Sequence, residues 1–176
     1  EICACLVGSE MCIRDSLGAV AVNHAVREAL PELLKDFQII HLCGKGKMDE
    51  SLKDVEGYCQ FEYIKNELRD LFALADVVIS RAGANAICEL LALRKPNLLI
   101  PLSANASRGD QILNARSFEA QGFSMVIDED YLSPGLLIEK VHALYCSRQT
   151  YIDAMGKSRQ TNAIPSILEI INEITG

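Results

Sequence analysis

Short apolar runs of β type alternate along the chain with longer stretches that carry apolar residues at helical spacing. Positions 76–79 contain one continuous apolar run, whereas Val22, Val26, Leu30 and Leu33 recur every three or four positions. Continuous runs of this length are typical of strands that are buried on both faces, and the second pattern is typical of amphipathic helices. The two patterns therefore predict strands and helices in alternation.

The alternation predicts one domain. Strands are predicted at 2–7, 38–43, 58–61, 76–79, 97–101 and 124–127. Helices are predicted at 17–34, 48–55, 66–75, 84–93, 110–121, 134–146, 151–157 and 164–174. Strands and helices in this order form a parallel sheet that is covered on both faces. We expect an α/β fold with a doubly wound, Rossmann-like parallel sheet, whose ligand binds beyond the carboxyl ends of the strands at a topological switch point.

The composition fits a globular domain and argues against several classes of partner. Of the 176 residues, 49% are hydrophobic, and the formal net charge is −7. This acidic balance, without a basic stripe, argues against nucleic acid and against a polybasic membrane patch. The apolar runs are too short to cross a bilayer, so we expect no transmembrane segment.

The segment from Ile79 to Glu89 has the pattern of a strand, a tight turn at Gly83 and a helix start. Such a helix start binds anions, because its first backbone N–H groups point outward and its dipole favours negative charge. Glu89 lies further along the helix and is suited to accept hydrogen bonds from hydroxyls. Arg81 is either a phosphate ligand or one half of a salt bridge at the strand end. A phosphate site beside a diol site indicates a nucleotide ligand.

Two further turns precede predicted helices. The segment 101–115 is a polar loop that leads into a helix, and it is longer than a minimal connection needs. Loops on a rigid scaffold commonly carry binding groups, but Asp110 also fits a plain N-cap and Asn114 a solvated helix residue. In the other turn, at 15–19, Ser16 is either a plain N-cap or a phosphate ligand.

The residues that commonly bind metals do not form a recognised pattern. Seven cysteines, an odd number, lie mostly inside apolar runs. The spacing of Cys3, Cys5 and Cys12 fits no standard zinc site. The acidic run at 128–130 resembles the metal-binding acidic pair of some sugar transferases, but we interpret it as a solvated turn. We therefore expect no metal and no other cofactor.

Several of these motifs together resemble a known family, the family 28 glycosyltransferases of the GT-B fold. The run Ser-Arg-Ala-Gly-Ala at 80–84, with Glu89 six positions beyond Gly83, is similar to the donor-site signature of that family. Further matches lie, in the expected order, at 16–19, 63–64, 72–76 and 101–115. The resemblance covers nearly the whole chain from Ser16 onward.

The resemblance implies the C-terminal, donor-binding half of a hexosyltransferase of peptidoglycan synthesis. This enzyme moves N-acetylglucosamine from UDP-N-acetylglucosamine (UDP-GlcNAc) to the polyprenyl-linked acceptor lipid I, with inversion at the anomeric carbon. By the resemblance, Ser16 meets the diphosphate and the backbone of Ile64 reads the uracil. Backbone amides and helix dipoles would neutralise the leaving UDP without a metal.

The remaining roles also follow from the resemblance. The N–H groups at the start of the helix after Gly83 would face the phosphates, and Glu89 would hold the ribose hydroxyls. Asp110 and Gln111 would hold the sugar hydroxyls, with Asn114 supporting the loop. The expected donor-binding residues are Ser16, Ile64, Arg81, Ala84, Asn85, Ala86, Glu89, Asp110, Gln111 and Asn114.

Two features depart from the family pattern. The acceptor-binding half is not in the chain, so we expect the chain to bind the donor without completing transfer, and lipid I to bind through the other half. The full-length protein is expected in the cytoplasm, peripheral on the inner face of the plasma membrane. Residues 8–15 also replace the glycines that the family has before Ser16. We interpret 1–15 as an anomalous segment, either part of the first strand or foreign sequence, and 16–176 as the UDP-sugar-binding domain.

Other functions stay open from the sequence. One is another UDP-sugar transferase of the GT-B fold or an epimerase-like enzyme. A second, from a different class, is a non-catalytic nucleotide-binding module. A dehydrogenase is disfavoured, because the chain lacks a complete glycine fingerprint for a dinucleotide.

Overall fold

A computed structural model describes residues 9–14, 20–64, 68–103 and 109–158 of the chain. The strands are β1 (Ser9–Arg14), β2 (Phe37–Leu42), β3 (Tyr58–Phe61), β4 (Val77–Ser80), β5 (Asn97–Leu99) and β6 (Met125–Val126). The helices are α1 (Val20–Leu33), α2 (Leu68–Leu74), α3 (Ala84–Ala92), α4 (Asp110–Ala120), α5 (Pro134–Cys146) and α6 (Arg148–Gly156). Short 3₁₀ turns lie at Glu50–Leu52 and Glu129–Tyr131.

The six strands form one parallel sheet in the order β3-β2-β1-β4-β5-β6. The chain first builds outward from β1 to β3 and then returns, so that β4 pairs with the free side of β1. This reversal places a topological switch point between the carboxyl ends of β1 and β4. The doubly wound parallel sheet predicted from the sequence is therefore confirmed.

The register aligns the carboxyl ends of the strands. Arg14 at the end of β1 is paired with Leu42 of β2 on one side and with Ser80 of β4 on the other. Ser80 is in turn paired with Leu99 of β5, which is paired with Val126 of β6. The loops that leave these strands therefore start from one common row at the same edge of the sheet.

Side chains alternate between the two faces of the sheet, and each face has its own core. Val77 and Ile79 pack in the cluster that contains the buried residues of α1 and α5. Val78, between them, packs in the cluster that contains the buried residues of α2, α3, α4 and α6. Because both faces are covered, β4 is buried at all four positions.

The first and fifth helices show how the local sequence sets these elements. Val22, Val26 and Leu30 of α1 are all buried, as their helical spacing predicts. In α5, Ser133 is the N-cap and accepts a hydrogen bond from the backbone N–H of Leu136 at 3.3 Å, and Pro134 follows at the first helical position. None of the helices in the described ranges combines the length and apolar character that crossing a bilayer requires.

The N-terminal part differs from the sequence prediction. The strand predicted at 2–7 and the helix predicted at 164–174 lie outside the described residues. The first described strand is Ser9–Arg14, within the segment that we interpreted as anomalous, and it pairs with β2 and β4. The proposal that 1–15 is partly foreign stays a prediction. The helix predicted at 48–55 is only the 3₁₀ turn Glu50–Leu52.

Candidate functional site

The N-terminus of α3 lies directly after β4, at the switch point of the sheet. Gly83 is its N-cap in an extended conformation, and among the described residues no side-chain hydrogen bond caps the helix. The first helical hydrogen bond runs from the N–H of Ile87 to the carbonyl of Gly83 at 3.0 Å. The N–H groups of Ala84, Asn85 and Ala86 come before that bond, so they are the donors that a helix start presents to an anion.

One face of α3 is exposed and carries two polar side chains. Asn85 and Glu89 are four positions apart and both exposed, whereas Ile87 and Leu90 are buried in the core. Residues four apart lie above one another on a helix. Glu89 therefore lies about 7 Å along the axis from the helix start, at a rise of about 1.5 Å per residue. The predicted phosphate donors and the predicted diol acceptor thus belong to one short helix.

The start of α4 differs in one respect from the plain-cap interpretation. Its N-cap is Gly109, in the left-handed region with φ 84°, and Asp110 is the first residue of the helix rather than the cap. Asp110 is exposed, and Gln111 is half-buried. The Gln111 side-chain oxygen accepts a hydrogen bond from the N–H of Leu102 at 3.2 Å. The helix start is therefore tied to the loop that follows β5.

Asn114 connects α4 to the segment before α3. Its side-chain amide donates to the carbonyl oxygen of Ala82 at 3.0 Å, across 32 positions of the chain. Ala82 is fully buried. The interpretation of Asn114 as a solvated helix residue is therefore wrong, because its amide supplies the donor for a buried carbonyl. This bond places the two predicted donor-binding segments side by side.

Arg81 lies among protein partners. Its side chain is buried, and one guanidinium nitrogen donates to the carbonyl of Ile100 at 3.0 Å. Another forms an ion pair with Glu129 at 2.5 Å. Of the two interpretations of Arg81, these contacts match the salt bridge. A direct contact with a phosphate stays a prediction that would require Arg81 to exchange these partners.

In the acidic run at 128–130, Asp130 is exposed as a solvated turn predicts, but Glu129 departs from that prediction. Glu129 is largely buried, and its second carboxylate oxygen accepts from the N–H of Ser103 at 3.1 Å. Asp128 is paired with Arg116 of α4 at 2.7 Å. Sequence reasoning missed Glu129, because its partners are distant in the chain and a run of three acidic residues is usually exposed.

The two remaining predicted residues are Ile64 and Ser16. Ile64 follows β3 by three residues and is half-buried, two strands away from β1. Ser16 lies outside the described residues, two positions beyond the end of β1. The role of each toward a ligand stays a prediction.

A buried polar network ties α1 to β2 and β3. His41 contacts the Tyr58 hydroxyl at 2.7 Å through Nδ1 and the Asn23 side-chain oxygen at 2.9 Å through Nε2. The Asn23 amide donates to the carbonyl of Cys43 at 2.8 Å. Because Asn23 therefore offers its oxygen to His41, Nε2 carries the proton and Nδ1 accepts from Tyr58. Burial lowers the pKa of His41 to about 3, helped by the nearby Arg27 charge, so the ring is neutral.

A cavity of about 680 Å³ lies between α1 and the connection from β2 to β3. Its walls carry both signs of charge, from Arg27 and Lys47 and from Glu28 and Asp49, and they include none of the predicted site residues. Within the described part of the chain, no three His, Cys, Asp or Glu side chains come together in a way that would hold a metal ion.

Comparison with known proteins identifies the family. The model of the glycosyltransferase family 28 C-terminal domain matches residues 16–171. A protein of Lachnospira eligens named UDP-N-acetylglucosamine--N-acetylmuramyl-(pentapeptide) pyrophosphoryl-undecaprenol N-acetylglucosamine transferase is 63% identical over 158 residues, which cover 90% of this chain and 45% of that protein. A protein of the same name from Lachnoclostridium phytofermentans is 61% identical over 159 residues, with the same coverage.

The likeness extends to the fold. The crystal structure of Acinetobacter baumannii MurG matches with a TM-score of 0.77 at 24% identity, covering 95% of this chain and 52% of that one. The chain spans about half the length of the curated relatives it matches. The resemblance seen in the sequence is confirmed: the chain belongs to glycosyltransferase family 28, whose C-terminal domain it contains.

Proposed function

We propose that this chain is the donor-binding domain of an inverting glycosyltransferase that moves N-acetylglucosamine from UDP-GlcNAc to lipid I, giving lipid II for peptidoglycan synthesis. The observation that carries the proposal is the N-terminus of α3. It is a helix start whose N-cap is a glycine, at the switch point of a doubly wound sheet, in a chain of this family. The donor and the acceptor in this proposal are those that the names of the relatives give.

The donor lies along the carboxyl edge in this proposal. The N–H groups of Ala84, Asn85 and Ala86 bind the diphosphate together with Ser16. Glu89 binds the ribose hydroxyls from the same helix. At one end of the ligand, the backbone of Ile64 binds the uracil.

The sugar lies toward α4. Asp110 and the side-chain amide nitrogen of Gln111 bind the sugar hydroxyls. Asn114 holds the two halves of the site together through the carbonyl of Ala82. Arg81 supports the site indirectly, because its guanidinium donates to the carbonyl of Ile100 and to the carboxylate of Glu129.

The chemical work of this half is to stabilise the leaving group. In the reaction, an acceptor hydroxyl oxygen bonds to the anomeric carbon of the sugar, and the bond from that carbon to the phosphate oxygen breaks. The electron pair of the broken bond stays with UDP as negative charge. The α3 dipole and its first N–H groups oppose that charge without a metal. The acceptor and the base that takes its proton belong to the other half of the full-length protein, at the inner face of the plasma membrane.

Calorimetry on this chain tests the proposal, with UDP-GlcNAc, UDP-glucose, UDP and NAD as separate titrants. We expect UDP-GlcNAc and UDP to bind, and UDP-GlcNAc to bind more tightly than UDP-glucose. Tighter binding of UDP-glucose would indicate the alternative, another UDP-sugar enzyme of this fold. Preference for NAD, or a folded chain that binds no uridine nucleotide, would refute the proposal.

A further inference from the structure

The carboxylate of Glu129 joins two loops that leave neighbouring strands. One oxygen is paired with Arg81, which directly follows β4, at 2.5 Å. The other accepts from the backbone N–H of Ser103, beyond the end of β5, at 3.1 Å. Arg81 also donates to the carbonyl of Ile100, just after β5, at 3.0 Å. A single carboxylate, from the connection between β6 and α5, therefore links the segment before α3 with the loop that leads to α4.

The ion pair between Arg81 and Glu129 contributes little to the stability of the fold. Both side chains are largely buried, with 8% of Arg81 and 15% of Glu129 exposed. The cost of removing two charges from water offsets most of their attraction, so a buried ion pair stabilises a fold little compared with apolar residues of the same size. Such a pair instead fixes the relative orientation of the groups that it joins, because a carboxylate and a guanidinium have fixed bonding geometries.

We infer that Glu129 is a positioning residue for the sugar end of the donor. The inference rests on the proposed function and assigns a role to a residue outside the donor-binding set. Glu129 holds Ser103, and the same loop continues to Asp110 and Gln111, the proposed sugar ligands. The segment before α3 has two further links that do not involve Glu129: Arg81 to Ile100, and Asn114 to Ala82. Loss of Glu129 should therefore disturb the sugar end more than the diphosphate end.

The test compares the affinities of UDP-GlcNAc and UDP in the same chain carrying Glu129→Gln. Gln has the shape of Glu, but its nitrogen cannot accept a hydrogen bond, so the link to Arg81 or the link to Ser103 is lost. We expect UDP-GlcNAc to bind about tenfold more weakly and UDP less than about threefold more weakly, as for one lost polar interaction. Glu129→Asp keeps the charge opposite Arg81 but is too short to span both partners. This variant should also weaken the binding of UDP-GlcNAc more than the binding of UDP. It replaces Glu129→Gln in the test if that variant does not fold.

A matched control lies at the other edge of the sheet. The Ser124 hydroxyl donates to the Asn97 side-chain oxygen at 2.6 Å, and both residues are buried near the amino ends of β5 and β6. Ser124→Ala should lower the melting temperature and leave both affinities unchanged. If the Glu129 variants keep the wild-type ratio of the two affinities, Glu129 is merely structural and the inference is overturned. If the wild-type chain binds neither ligand, the proposed function itself fails, and this inference fails with it.

Discussion

The side-chain amide of Asn114 donates to the main-chain carbonyl of Ala82, and the two atoms are 3.0 Å apart. Asn114 lies in the second turn of α4, and Ala82 lies two residues before α3. This bond fixes the position of one helix start relative to the other. Because each helix start carries proposed donor ligands, we expect this bond to set the shape of the site.

The first prediction concerns this bond. Asn114→Leu keeps the approximate size of the side chain but removes the donor, so the buried carbonyl of Ala82 loses its side-chain partner. We expect the free energy of unfolding to fall by about 1–3 kcal/mol, the cost of leaving a buried polar group unsatisfied. Urea denaturation measures this change. Leu113→Ala, at an exposed neighbouring position, is the control and should change stability little. Equal stability of the two variants would contradict the assignment.

A second prediction concerns the carboxylate of α3. Glu89→Ala should weaken binding of UDP-GlcNAc by about 1–3 kcal/mol, because the ribose hydroxyls lose a charged acceptor. Stability should change little, since Glu89 is on the exposed face of the helix. The control is Glu139→Ala, an exposed glutamate in the middle of α5. Calorimetry that finds the same affinity in both variants would remove Glu89 from the site.

Gly83 allows a test of where the diphosphate lies. Its φ is −68°, and a Cβ built there would meet no heavy atom within 4 Å outside its chain neighbours. Gly83→Ala should therefore leave the fold intact, and stability should change by less than about 1 kcal/mol, because the less flexible unfolded chain offsets the poorer N-cap. A phosphate bound at the helix start would meet the added methyl group, so we expect UDP and UDP-GlcNAc to lose affinity together.

The control for this variant is Gly135→Ala in α5, where an added Cβ also meets nothing within 4 Å. Binding should be unchanged there. Unaltered affinity in Gly83→Ala as well would show that the phosphates do not approach the start of α3.

The buried imidazole predicts a dependence of stability on pH. Burial lowers the pKa of His41 from 6.5 to about 3, so the unfolded chain takes up a proton at this residue at a higher pH than the folded chain does. Stability should therefore fall as the pH drops below about 6.5, and this one group accounts for about 2 kcal/mol between pH 7 and pH 5. His41→Gln should reduce this loss of stability between pH 7 and pH 5.

Denaturant titrations at pH 7 and pH 5 measure the difference. His24→Gln is the control, because His24 is an exposed residue of α1 whose described ion-pair contact is with Glu28. The His24→Gln variant should keep most of the stability difference that the wild-type chain shows between pH 7 and pH 5. If His41→Gln keeps the full slope, the acid sensitivity belongs to other groups.

The architecture could be predicted from local patterns. The apolar run in β4 and the helical spacing of Val22, Val26 and Leu30 depend on neighbours in the chain, because burial on a strand or helix repeats with a fixed period. The order of these elements then implies the parallel sheet and the edge where its ligand binds. Gly83 and Glu89 are predicted site residues on the same local basis, since they share one short strand–turn–helix unit with the family signature.

The contacts that shape the site could not be predicted. Arg81 meets Glu129 across 48 positions, and Asn114 meets Ala82 across 32. No periodicity relates such positions, and their distance in space depends on the order of the strands and on the path of three loops. The sequence therefore allows two interpretations of Arg81 and predicts a solvated turn at 128–130.

The sequence by itself determined which segments become strands and helices, and which helix start is suited to an anion. Only the tertiary structure decided which polar groups are buried and what each one bonds. The physical reason is that a polar residue is exposed in most local contexts, and the cost of burying it is offset only by partners that the fold brings from elsewhere. Glu129 lies in an acidic run in the sequence and in a buried ion pair with Arg81 in the folded chain.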